Sequence, residues 1–214
     1  MIEESLLLVT QVGMFLFIVA GMAAKGLSLT VQRVVEPLRD ARMVALLLAA
    51  NFVAVPAVAI AATRILPMDE NAATATLLVA CCAGAPFLPK LAGLAKGDPA
   101  LAVGSMVLLM VVTVVYAPVV LPLVVEGATV AAWDIASSLI VLMLIPLGLG
   151  LFAKARYEAF ADSIVAQTGQ ISSVGLMVGI AAALLVSWRD VFGAVGSWIF
   201  IGVAIVLVAG LVFG

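Results

Sequence analysis

Long, uninterrupted apolar runs constrain this chain more than any other feature of its sequence. Seven of them, at about 6–24, 43–66, 72–95, 100–125, 135–153, 171–188 and 194–214, approach or exceed the roughly 20 residues a helix needs to cross a bilayer. Spanning backbone must satisfy its own hydrogen bonds, so only helices and closed barrels cross lipid. Barrel strands alternate polar and apolar residues, and these runs do not. The expected fold is therefore all-α: a polytopic transmembrane helix bundle of about seven spans in a single domain, 1–214. Composition agrees, because 66% hydrophobic and 10% charged residues leave too little charge to wet a soluble surface, where about a quarter is usual. The lipid bilayer is the first expected partner. No basic patch or aromatic–basic interleaving points to nucleic acid.

Charge placement predicts orientation. Lys25, Arg33, Arg39, Arg42, Lys90, Lys96, Lys154 and Arg156 fall at the first, third and fifth connections, and only Arg64 and Arg189 fall on the other side. Basic residues mark cytoplasmic loops, so the N-terminus is expected outside and the C-terminus in the cytoplasm, as in a bacterial inner membrane. The acidic start Met1-Ile2-Glu3-Glu4 lacks the positive charge of a cleavable signal. Between Lys25 and Arg42, Val31, Val34, Val35 and Leu38 recur at helical spacing opposite Arg33, Glu36 and Arg39, which predicts an interfacial helix.

Enzyme chemistry finds no support. The chain has no histidine, no carboxylate pair within a run, no G-x-S-x-G elbow and no phosphate loop. Cys81 and Cys82 read as small buried residues, and without histidine they predict no metal site. The third run is different. Gly84, Pro86 and Pro89 fall within six residues; the two prolines remove backbone donors, and the cluster predicts a broken helix. Transporters build midplane sites from such unwound segments. Lys90 follows the break, either as a site charge or as a side chain snorkelling to the interface. Asn51, just before Pro56, places an amide in the second run. The substrate or ion-pathway candidates are Asn51, Gly84, Pro86, Pro89 and Lys90.

The stretch from Cys81-Cys82 through Gly84 to Leu94-Ala95-Lys96-Gly97-Asp98 and Ala100-Leu101 resembles the first crossover helix of the bile acid:sodium symporter family. Met14-Phe15 through Gly26-Leu27-Ser28-Leu29, and Asn51-Phe52-Val53 with Pro56, are similar to the helices before it. Pro118, Pro122, Pro146, Gly148 and Gly150 are similar to those after it. The resemblance covers 14–157. It implies a partial inverted-repeat transporter fold, with a panel and a core domain, in a divergent and shortened member. On this alignment a second crossover helix and its successor lie beyond Gly214, which predicts a core open on one side.

The same resemblance implies carriage of a small organic solute, anionic in character, by alternating access as a secondary membrane transporter. It does not carry sodium across intact. The positions of the family's crossover sodium ligands hold Leu88, Pro89, Ala102 and Met106, and only Asn51 keeps an amide at the second sodium site. No cofactor is expected, and sodium, though possible, lacks its side-chain ligands at the first site. The alternative is a non-transporting or partner-dependent membrane protein, with a homo-oligomer or a complementing subunit supplying the missing helices.

Overall fold

The computed structural model describes residues 2–81, 83, 87–124, 132–193 and 198–213. Among these residues every regular element is helical. Five helices are long and apolar enough to cross a membrane: Glu4–Ser28, Ala41–Ile65, Pro99–Leu123, Ala136–Arg156 and Glu158–Arg189. We name α1 (Ile2–Ser28), α2 (Val31–Val35), α3 (Ala41–Ala49), α4 (Val55–Ile65), α5 (Glu70–Cys81) and α6 (Leu88–Leu94). There follow α7 (Pro99–Val124), α8 (Ala132–Leu139), α9 (Ile145–Arg156), α10 (Glu158–Gly193) and α11 (Ile199–Phe213).

The third run does not form one helix. α5 stops at Cys81, α6 starts at Leu88, and the described residues between them, Ala83 and Phe87, lie outside both helices. Pro89 falls in the first turn of α6, where a missing N–H leaves no bond unmade. The exit from α6 is equally local. Lys96 sits at φ 57°, with Gly97 N donating to Ala92 O at 2.8 Å and Lys96 N to Gly93 O at 3.2 Å. That pair of bonds is a Schellman closure, made here around a lysine. Asp98 then accepts from Ala100 N at 2.8 Å and opens α7 behind Pro99.

Two spans are continuous but widened. α3 joins α4 through a π-helical turn at Ala50–Ala54, and α8 joins α9 through another at Ile140–Leu144. Each lies immediately before a proline, Pro56 or Pro146. A proline takes away the donor for the carbonyl four residues back, and that carbonyl for Pro56 is Phe52. The Tyr116 hydroxyl of α7 donates to Phe52 O at 2.9 Å, with the two rings 4.7 Å apart. The partner for this bond comes from another helix.

Two packing groups emerge. α1 lies along α10 and α9, while α4, α5 and α11 share a separate core of Val55, Ala59, Leu77, Ala80, Val206 and Ala209. α7 touches both: Val103, Met106 and Met110 join the cluster of Met22 and Leu147, and Ala117 and Leu121 pack on Cys81. The first group closes on glycine. A Cβ built on Gly13 would lie 2.8 Å from Gly179 Cα, and one on Gly26 would lie 2.8 Å from Gly150 Cα. Small residues let helix backbones approach where lipid offers no hydrophobic drive for association.

Two expectations are refined. The run at 171–188 belongs to a helix of 36 residues, because the polar segment from Glu158 to Gln170 continues the same helix. The connection at Lys154–Asp162 therefore shrinks to the single non-helical Tyr157. Lys154 closes it by pairing with Glu158 at 3.1 Å and Asp162 at 2.7 Å. The interfacial segment folds as α2 plus a 3-10 turn at Glu36–Arg39, with Val34 buried and Val31 and Val35 exposed.

Gly26→Ala should destabilise the protein by about 1–3 kcal/mol through overpacking, read as thermal unfolding in detergent. Gly148→Ala, where a Cβ meets nothing within 4 Å, should be neutral or stabilising by up to about 1 kcal/mol. Equal effects would refute the close-approach account. Tyr116→Phe should lose about 1–3 kcal/mol, since it strands the Phe52 carbonyl. An unchanged unfolding midpoint would mean that carbonyl has another partner.

Candidate functional site

Unwinding the third run frees backbone groups, and one is satisfied from α7. The Thr113 hydroxyl lies 3.1 Å from Ala83 O and 2.8 Å from Leu109 O. It has a single proton, so it serves these carbonyls one at a time. Thr113 is itself buried, which keeps the exchange inside the protein.

On the far side of the break, α6 turns Lys90 toward the α1–α10 pair. Its Nζ donates to Ser173 Oγ at 3.0 Å and stands 5.5 Å from the Phe17 ring centroid. Phe17 is buried and is held by an edge-on contact with Phe87 at 5.9 Å. Charge at membrane depth costs roughly 2.5–3.5 kcal/mol on insertion scales. A charge-assisted hydrogen bond of about 1.5–3 kcal/mol and a cation–π contact of about 0.5–2 kcal/mol offset that cost. The ammonium is thus held inward.

Lys90 and Pro89 line a cavity of about 270 Å³ between α6, α1 and α10. Lys25 lines it from α1, and Ser172 and Ser173 line it from α10. Ser172 donates to Phe17 O at 2.9 Å, which ties the two long helices together at the cavity wall.

The sequence candidates divide. Pro89 and Lys90 meet in this cavity. Asn51 does not join them: its Nδ2 donates to Leu47 O at 2.9 Å within its own span. Gly84 and Pro86 lie outside the described residues. Phe17, Lys25, Ser172 and Ser173 escaped the sequence reading. Lys25 had been counted only as a basic residue at a span end, and lone serines in apolar runs carry no spacing signal.

Leu88, Pro89, Ala102 and Met106, which the sequence resemblance sets at a sodium site, carry apolar side chains. Met106 is fully buried in the cluster with Met22 and Leu147, and Ala102 and Pro89 are also buried. A hard cation needs several oxygen ligands, and these side chains do not fit one. Among the described residues no group of three or more Asp, Glu, Cys or His could hold a metal.

Comparison with known proteins gives one family. No individually curated protein matches the chain. The model of the sodium bile acid symporter family matches residues 14–193 of 214, a span that runs from α1 through the break between α5 and α6 to the end of α10. The chain belongs to the sodium bile acid symporter family.

Proposed function

We propose that this membrane protein, of a transporter family, moves a small organic anion by alternating access without a sodium ion beside its crossover. The observation that carries the reading is Lys90: an ammonium held by Ser173 and Phe17 in a cavity between the broken span and the α1–α10 pair. A fixed cation there follows directly on Leu88 and Pro89, which the resemblance sets at sodium-ligand positions. It attracts a negatively charged solute and supplies the positive charge that a sodium ion would otherwise bring. Separate cores in the α1–α9–α10 group and the α4–α5–α11 group support relative movement of the two around the solute. The π turns before Pro56 and Pro146 add points of compliance within two spans.

The distribution of basic residues supports an outside N-terminus and a cytoplasmic C-terminus. A single cysteine at Asp69 should then react with an impermeant thiol reagent only from outside, and one at Glu158 only from the cytoplasm. Reaction of both from one side would overturn this orientation.

Uptake of labelled organic anions into proteoliposomes tests the transport reading. Accumulation should be the same with sodium or with choline as the external cation. Lys90→Ala should abolish it, while Lys96→Ala, at the closed end of α6, should leave it largely intact. Sodium-driven uptake that survives Lys90→Ala would refute the proposal.

A further inference from the structure

The cavity contains a second cation. Lys25, half-buried on α1, lines the same space as Lys90. It makes no hydrogen bond or ion pair among the described residues. Among the described residues no carboxylate lines the cavity.

The remaining polar groups sharpen this. Ser28 Oγ donates to Lys25 O at 3.0 Å, Ser172 Oγ to Phe17 O at 2.9 Å and Ser173 Oγ to Gly169 O at 3.0 Å. Every serine proton at the wall is therefore spent on backbone. The side-chain donors left for a ligand are the ammonium protons of Lys25 and those of Lys90 not given to Ser173. A neutral polar solute would find few partners here. A monoanion would neutralise one lysine and leave the other without a counter-charge in a space that is partly removed from water, which is unfavourable. Size narrows the choice further. About 270 Å³ falls just below the range of roughly 300–1,000 Å³ that holds drug-sized ligands.

We propose that this cavity selects compact dianions, and that Lys25 is the residue that reads the second negative charge. A four-carbon dicarboxylate is compact and carries one carboxylate for each ammonium. The inference rests on the reading of this cavity as the solute site, and it adds a specificity residue and a ligand class to it.

Succinate and butyrate have the same carbon chain and differ by one carboxylate, so they form the test pair. Binding is measured by calorimetry on the full chain in zwitterionic nanodiscs. The wild-type protein should bind succinate about tenfold or more tighter than butyrate, the scale of one added partly buried charge pair. Lys25→Gln should remove the difference while butyrate still binds, and Lys25→Arg should restore it, which separates a lost charge from a lost fold. An unchanged succinate preference in Lys25→Gln would overturn the proposal, as would equal binding of the two acids by the wild type. A parallel set of discs containing phosphatidic acid addresses a lipid headgroup as the source of the dianion. Stabilisation by that lipid, lost in Lys25→Gln, with no response to succinate in either disc, would also overturn it. Discrimination in binding without uptake would support the site and refute the transport reading. Uptake favouring butyrate would refute this inference and leave transport standing.

Discussion

Lipid offers no partner to a backbone N–H or C=O, and every departure from α-helix in this protein has to be satisfied from within. Ala83 O, released where the third run unwinds, lies against Thr113; Phe52 O, stripped of its donor by Pro56, receives Tyr116. Both partners come from α7. That helix therefore does more than fill space between the two packing groups: it supplies the hydroxyls that let its neighbours break and widen. Its buried methionines and valine pack on the α1 side, and its alanine and leucine pack on Cys81. A site built on unwound backbone depends on this helix before it depends on any residue that touches solute.

The same constraint explains why charge sits where it does. Lys90 faces inward because Ser173 and Phe17 receive it, and those residues are in place because α1 and α10 pack closely through Gly13 and Gly179, tied by Ser172 to Phe17 O. Close backbone packing, an interhelical hydrogen bond and an oriented aromatic ring thus converge on one ammonium. Lys154 shows the contrasting solution: at an exposed turn, two carboxylates of the next helix neutralise it.

Much of this was legible in the sequence, and the reason is physical. Apolar run length reports bilayer thickness, so each of the five membrane-length helices could be read as an apolar run. Pro86 and Pro89 report lost backbone donors and Gly84 a weak helix former, so the break between Cys81 and Leu88 could be placed within a few residues. The family was carried by the crossover segment itself. What failed was anything set by contact between distant helices. Hydropathy ended a span at 171 because Glu158, Asp162 and Gln167 are polar, yet those residues continue α10 beyond its apolar stretch. Lys25 looked like one more rim charge, since nothing local distinguishes a lysine facing water from one facing a cavity. Asn51 sits apart from Lys90, and its Nδ2 reaches back to its own helix's carbonyl at i−4, a contact that sequence spacing allows but does not require.

The central claim is that a positive charge at position 90 faces an aqueous cavity and is required for an anion to move. Chemical restoration of that charge tests it most directly. In a background with Cys81 and Cys82 replaced, Lys90→Cys is treated with an ethylammonium methanethiosulfonate or with its neutral methyl counterpart, and anion uptake is measured. The account predicts that both reagents modify the cysteine, that the ammonium reagent restores uptake and that the methyl reagent does not. A cysteine that neither reagent reaches, or equal uptake after both, would contradict it.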